Sequence, residues 1–286
     1  MTTLVPFGAD LAWSLWDSQP LEGAFTLQAH DEPKHTNGVI TDVSRPWLFG
    51  FKSPNPCGRS IMIMGGGGYV ELMVGREGVA VARWLTTIGF HAFVLVHRFP
   101  TAKTGAQAPV DDARRSLRLI QDSGLAAKGL GVLGLSSGGH LAAAMLAAYP
   151  ASWTYPNASE TTPKPDFAII GYGPISTNAV GRTIIKDKAP LAPPEKQELY
   201  NLVQPDVQLV SPAPLSFVVY SGNDPIVPIV NAYRLSEGIS KAGGVVELHI
   251  FADAPHGFGI DTPDLPVSKW PMLCEEWLKQ NGLLKV

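Results

Sequence analysis

Ser136 sits in Gly134-Leu135-Ser136-Ser137-Gly138, directly after the apolar run Leu130–Leu135 and before the small-residue stretch Ser137–Tyr149. A serine on so tight a strand–turn–helix bend is pushed out of the backbone, and the flanking glycines are needed because a Cβ at either position would collide with neighbouring main chain. A hydroxyl presented in this way serves as a nucleophile if a base is at hand. The bland alternative is a Gly/Ser turn in which a serine caps the helix. A second feature, Met64-Gly65-Gly66-Gly67-Gly68-Tyr69, closes the run Ser60–Met64. Four glycines leave backbone N–H groups unshielded, as acyl transfer requires for a developing oxyanion. A nucleotide phosphate cradle is disfavoured, since neither a following Gly-Lys-Ser/Thr nor a G-x-G-x-x-G register opens a helix here. Asp224, in Ser221-Gly222-Asn223-Asp224-Pro225, and His256, in Ala254-Pro255-His256-Gly257-Phe258, each follow a further strand-like run. A carboxylate that orients an imidazole, and an imidazole that takes a serine proton, are the partners such a nucleophile needs.

The remaining titratable groups compete weakly for these roles. Asp253 and Asp261 flank His256 and are rival acids, yet neither explains an acid at the end of the preceding strand. His140 falls one turn into the helix after Ser136 and reads as structural. His30, His35, His91, His97 and His249 have no comparable context.

The elements that must position these residues follow from hydrophobic periodicity. Strands are expected at Ser60–Met64, His91–Val96, Leu130–Leu135, Asp166–Gly171, Leu215–Ser221 and Val245–Phe251. Helices are expected at Glu77–Ile88, Val110–Ser123, Ser137–Tyr149, Ile229–Ala242 and Val267–Gln280. Apolar strands alternating with helices of this length imply an α/β fold, a doubly wound and mostly parallel sheet with helices on both faces. No boundary or linker divides the chain, so residues 1–286 are expected to form one domain. The irregular, proline-rich stretch of about 172–214, with one helix near Glu195–Val203, reads as an insertion over the carboxyl ends of the strands, where such sheets bind ligands. Scattered aromatics (Trp13, Trp16, Phe25, Trp47, Phe49) precede the first strand of this series.

Composition narrows the partner. Hydrophobic residues make up 45% and charged residues 16% of the 286, against about 25% charged in an average soluble domain. The net charge is −3 and no long basic run occurs, so neither nucleic acid nor an anionic membrane is an expected partner. A small molecule is. Cys57 and Cys274 lack disulfide-framework or zinc-site spacing and are expected to be free thiols. With no basic n-region followed by an apolar h-region at its start, the chain is expected in the cytoplasm.

Ser136, then Asp224 after 88 residues, then His256 after a further 32, is the chain order of the α/β hydrolases. The sequence resembles that superfamily over roughly residues 58 to 280, and more narrowly the small carbohydrate esterases of the acetylxylan and feruloyl type and the acetyl esterases. The strings that carry the likeness are Gly66-Gly67-Gly68-Tyr69, Glu77-Gly78, Ser136-Ser137-Gly138-Gly139-His140, Asp224-Pro225 and His256-Gly257-Phe258-Gly259. Three positions depart from the family pattern. Gly65 replaces the usual Pro or His, His97 the usual Tyr before Arg98, and Ser137 the usual Ala. None removes a backbone donor.

The resemblance implies a serine carboxylesterase acting on short, acetyl-type esters, acetylated sugars among them, with Ser136, Asp224 and His256 catalytic. It places the oxyanion donors at the amides of Gly67, Gly68 and Ser137, and calls for no metal or organic cofactor. Two alternatives stay open: an arylformamidase or amidase on the same triad, and a non-catalytic ligand receptor, which typically loses the base that His256 would supply. Tyr69 and Leu135 either narrow the acyl pocket or point into the core.

Overall fold

The computed structural model describes residues 5–16, 20–28, 38–150, 152–153 and 162–284. His30 and His35 lie outside them. Within the described residues an eight-stranded sheet has the order β1-β4-β6-β5-β7-β8-β9-β10, with β1 Leu11–Ser14, β4 Trp47–Phe51, β5 Ser60–Met64, β6 His91–Val96, β7 Leu130–Leu135, β8 Phe167–Gly171, β9 Leu215–Ser221 and β10 Val246–Phe251. From β6 to β10 neighbouring strands are parallel, while β1 and β4 join antiparallel at one edge. Runs such as Leu130–Leu135 and His91–Val96 are buried along their whole length, as strands covered on both faces must be.

The expected parallel strands are all present. Strand β8 starts one residue later than expected, and Asp166 before it meets β7 partly through its side chain, its carboxylate accepting the Leu130 N–H at 2.7 Å while its own N–H donates to the Leu130 carbonyl at 2.8 Å. The antiparallel pair β1 and β4 absorbs Trp13, Trp47 and Phe49 from the aromatics of the amino-terminal region. Two further strands, β2 Phe25–Gln28 and β3 Val39–Val43, pair antiparallel. Ile40 of β3 exchanges both backbone hydrogen bonds with Leu72, which ties this pair to the segment after the glycine loop.

The helices cover both faces. Helix α1 (Ala80–Thr87) and α7 (Trp270–Gln280) share one face, with Trp84 edge-on to Trp270 at 5.4 Å between ring centroids. Helices α2 (Ala108–Asp122), α3 (Ser137–Ala144) and α6 (Val230–Lys241) pack on the other. Helix α3 stops five residues short of the expected Tyr149. The backbone of Leu146 and Ala148 is taken instead into pairing with Gln208 and Val210. That pairing anchors the segment between β8 and β9, which carries α4 (Pro194–Leu202) and α5 (Pro205–Gln208). Cys57 and Cys274 are buried and unbridged. No helix among the described residues is long and apolar enough to cross a membrane.

Strand order reverses at β5, since β6 lies on one side of it and β7 on the other. Crevices at the carboxyl ends of strands form at such a reversal. In register, Met64 at the end of β5 stands beside Gly134 of β7, so the glycine loop and Ser136 open side by side.

Candidate active site

Ser136 has φ 54° and ψ −126°, a strained conformation for a residue with a Cβ. Its surroundings impose it. A Cβ on Gly134 would lie 2.0 Å from the Gly138 carbonyl oxygen, and one on Gly138 would lie 1.9 Å from that of Met64. With β5, β7 and α3 this close, only the observed turn fits, and the Ser136 N–H is held by the Gly171 carbonyl at 3.0 Å.

Ser136 Oγ lies 2.9 Å from His256 Nε2, and His256 Nδ1 lies 2.7 Å from Asp224 Oδ2. An ionised carboxylate only accepts hydrogen bonds, so Nδ1 carries the proton and Nε2 is free to accept that of Ser136. The second Asp224 oxygen accepts the N–H groups of Ile226 and Val227 at 2.8 and 2.9 Å, and the whole Asp224 side chain is shielded from solvent. The three residues thus meet as one hydrogen-bonded chain from three strand ends. Asp253 is exposed and engages the Asn223 amide at 2.6 Å, Asp261 is exposed too, and both nitrogens of the His256 ring are taken by Asp224 and Ser136, so neither rival acid is bonded to it.

His140 is fully buried between the Tyr69 hydroxyl and the Val203 carbonyl, each at 2.9 Å. The carbonyl must accept from Nε2–H, which leaves Nδ1 to accept from Tyr69. Burial lowers the pKa of His140 to about 4, so the ring stays neutral and joins the elbow helix to the glycine loop as a structural group. Tyr69 and Leu135 both point into the core, Tyr69 among His97, His140 and Tyr200, and Leu135 against Gly171. Neither walls an acyl pocket.

In the glycine loop the amides have different fates. Gly66 N–H donates to Glu77 Oε2 at 2.6 Å, and Gly68 N–H to Ser137 Oγ at 2.9 Å. The amides of Gly67 and Ser137 donate to no other group among the described residues. Gly67 has φ 127° and a Cβ there would fall 2.2 Å from the Glu71 carbonyl, so no side chain fits.

Glu77 is a site residue that the motifs do not reveal as one. Its buried carboxylate takes the Gly66 amide on one oxygen and the Tyr172 hydroxyl, at 2.9 Å, on the other. Tyr172 in turn accepts the Gly259 N–H at 3.1 Å and lies edge-on to the His256 ring at 5.4 Å. Glu77 therefore joins the glycine loop to the loop that carries His256. Burial raises its pKa above the usual carboxylate value, opposed by the Gly66 and Tyr172 hydrogen bonds and by the nearby His256. A signal existed. At helical spacing Glu77 shares a face with Val81 and Leu85, both wholly buried, and an acid within an apolar stripe needs polar partners. Among the described residues no group of three His, Cys, Asp or Glu side chains could hold a metal ion.

Comparison with known proteins agrees with this architecture. A family model described as the alpha/beta hydrolase fold matches residues 66–260. An acetylxylan esterase of Xylanibacter ruminicola is 27% identical over 255 residues, which cover 84% of this chain and 49% of that protein. The chain thus spans about half the length of this curated relative. Among solved structures, an acetyl ester-xyloside bifunctional hydrolase from Caldicellulosiruptor lactoaceticus superposes with a TM-score of 0.70 at 26% identity, over 98% of this chain and 99% of that one. The butyrate-bound esterase Est2 of Thermogutta terrifontis gives 0.66 at 20% identity, over 93% and 97%. With its family model spanning the stretch from the glycine loop to just past His256, and its sheet laid out as that fold requires, the chain belongs to the alpha/beta hydrolase family.

Proposed function

We propose that the protein is a serine carboxylesterase that hydrolyses short, acetyl-type esters, acetylated sugars among them. The observation that carries the reading is the unbroken chain Ser136 Oγ–His256 Nε2 at 2.9 Å and His256 Nδ1–Asp224 Oδ2 at 2.7 Å. His256 takes the Ser136 proton as Oγ attacks the ester carbonyl carbon, and Asp224 holds the Nδ1–H tautomer and stabilises the imidazolium. The oxyanion is received by the amides of Gly67 and Ser137, joined by Gly68 when the Ser137 hydroxyl turns away. His256 then gives its proton to the leaving alcohol. Water, deprotonated by the same imidazole, attacks the acyl-enzyme, and the acid leaves with Ser136 restored.

The names of the acetylxylan esterase relative and of the acetyl ester-xyloside hydrolase support an acetylated carbohydrate as the ester's alcohol part. A short acyl group is favoured because the insertion over the site offers α4, nine residues long, in place of an extended apolar lid. A fluorophosphonate probe should label Ser136 in the intact protein, as read by mass spectrometry of the modified peptide. A panel of p-nitrophenyl esters should then give a kcat/KM for acetate at least about tenfold above that for decanoate, because each methylene that fits gains only about 0.8 kcal/mol and one that does not meets packed protein. Label elsewhere removes Ser136 from the chemistry. A decanoate preference removes the acetyl reading, and faster turnover of an aryl formamide moves the activity to C–N bonds.

A further inference from the structure

Between β8 and β9 the chain sets one ammonium group beside the glycine loop and a second on the flank of the helix that carries it, and neither is used by the chemistry above. Helix α4 is fixed there by Tyr200, which lies edge-on to Tyr69 at 5.6 Å and packs on His140 at 4.6 Å between ring centroids. Lys196 stands one helical turn before Tyr200 and so on the same side of α4. Its Nζ comes 3.6 Å from where a Cβ on Gly68 would be, which places the charge directly over the loop. Lys188 reaches the same region from the segment before α4. Its Nζ donates to Asn178 Oδ1, and the Asn178 carbonyl accepts from Gln197 Nε2 of α4, the residue next to Lys196, at 2.9 Å.

Both lysines are half-buried, and among the described residues neither forms an ion pair with a carboxylate. Burial lowers the pKa of each, and the positive charge of Lys188 lowers that of Lys196 further. A lysine with no task at a protein surface extends its ammonium into water. Here Lys196 stands partly out of water over the glycine loop, and Lys188 is held to the flank of the same helix through Asn178. An anion held at Lys196, with Lys188 nearby, would be offered charge-assisted hydrogen bonds that no carboxylate among the described residues takes.

We propose that Lys196 and Lys188 form a subsite for a carboxylate carried by the substrate, so that the ester this protein takes has an anionic group on its acyl or its alcohol part. The inference rests on the esterase reading and narrows it to acidic esters. Monoethyl succinate against diethyl succinate tests a carboxylate on the acyl side, and 4-acetoxybenzoate against its methyl ester tests one on the alcohol side. Rates are followed by titration of the acid released. The unaltered protein should prefer the anionic member of at least one pair, and that pair tells which part carries the charge. Lys196→Gln should lower kcat/KM for that anion tenfold or more relative to its neutral partner, chiefly through KM, with a smaller loss for Lys188→Gln. Raising the salt to about 0.5 M should weaken the same preference.

An unchanged anion-to-neutral ratio in both pairs overturns the proposal. An equal loss on both members of a pair also overturns it, since Lys196 would then act on every oxyanion alike. If no ester is turned over and Ser136 takes no fluorophosphonate, the esterase reading fails by itself. Calorimetric binding of monoethyl succinate and 4-acetoxybenzoate still decides the subsite in that case. Binding that Lys196→Gln weakens sustains it, and equal or absent binding in both proteins ends it.

Discussion

The two sides of the Ser136–His256 contact are built in different ways. On the Ser136 side, β5, β7 and α3 are buried throughout, and the turn is dictated by exclusion, since any Cβ at Gly134 or Gly138 would overlap a backbone oxygen. On the His256 side, β10 is a half-buried edge strand and its loop is held by polar side chains. Ser221 Oγ accepts the Ala254 N–H at 3.1 Å, Asn223 bridges to Asp253, and Asp224 gathers the amides of Ile226 and Val227. Steric exclusion admits one conformation and one residue type. Hydrogen bonds can be exchanged for others of similar strength, so the base side should tolerate substitutions around Asp224 and His256 that have no counterpart around Ser136.

The largest effect should come from the contact itself. Ser136→Ala and His256→Ala are each expected to lower kcat by about 10⁴-fold or more, and the double variant to be scarcely worse, because the groups act as a unit. Both should fold, as neither substitution creates a clash. Steady-state kinetics on p-nitrophenyl acetate with a circular dichroism control checks this, and more than about a tenth of the activity left in Ser136→Ala would break the assignment. Next in size, Asp224→Asn should reduce kcat by about 10²–10⁴-fold through the wrong imidazole tautomer. Asp253→Asn and Asp261→Asn should each cost less than about tenfold, since both side chains are exposed and the His256 nitrogens are bonded to Asp224 and Ser136. The ranking is what the kinetics must reproduce.

Glu77 crosses between the two sides, so its substitution asks whether they are coupled. In Glu77→Gln one oxygen can still accept the Gly66 N–H, but the amide nitrogen meets Tyr172, whose hydroxyl proton loses its acceptor. A fall in kcat of about tenfold with little change in KM is expected if the two loops must be held in register, from the loss of the Tyr172 hydrogen bond, about 1 kcal/mol, and the weaker acceptor that a neutral amide offers Gly66. The pH dependence of stability gives a separate readout. A carboxyl whose folded pKa is raised is easiest to keep when protonated, so the stability of the natural protein relative to Glu77→Gln should fall as pH rises through about 4.5 and level off above the folded pKa. Urea unfolding from pH 4 to 8 measures that slope, and a difference that grows with pH would reverse the sign and exclude a carboxyl destabilised by burial.

The same contrast explains what could be read before the fold was known. The buried runs Ser60–Met64, His91–Val96 and Leu130–Leu135 announce parallel strands, because sites covered on both faces must be apolar throughout. Ser136, Asp224 and His256 were legible by residue type at strand ends, with glycines marking the crowded turn. What escaped depends on partners distant in sequence. Leu11–Ser14 is a strand only because Trp47–Phe51 lies beside it, and its partly buried residues carry no clean alternation. Helix α3 ends at Ala144 because Leu146 and Ala148 find backbone partners 64 and 60 residues on, at Val210 and Gln208. Glu77 looks like an ordinary acidic residue at a helix start until Gly66 and Tyr172 are brought to it.

The smallest effect concerns Ser137, where this chain has a hydroxyl in place of the methyl that the family usually presents. Its Oγ accepts the Gly68 N–H at 2.9 Å, so one amide assigned to the oxyanion is already occupied in the resting site. Using that amide in the transition state requires the hydroxyl to turn away, and the gain is then the difference between two hydrogen bonds. A neutral bond is worth about 0.5–1.5 kcal/mol net and one to a charged oxygen about 1.5–3, so removing the first should lower the barrier by about 0.5–1.5 kcal/mol. Ser137→Ala is therefore expected to raise kcat on acetyl esters by between about twofold and tenfold. Stability should change by no more than about 1 kcal/mol, because the amide it frees lies at the partly exposed rim of the loop. A fall of about tenfold or more would mean that the Ser137 hydroxyl itself supports the oxyanion. An unchanged kcat would remove Gly68 from the oxyanion site and leave that task to Gly67 and Ser137, the two amides with no other partner among the described residues.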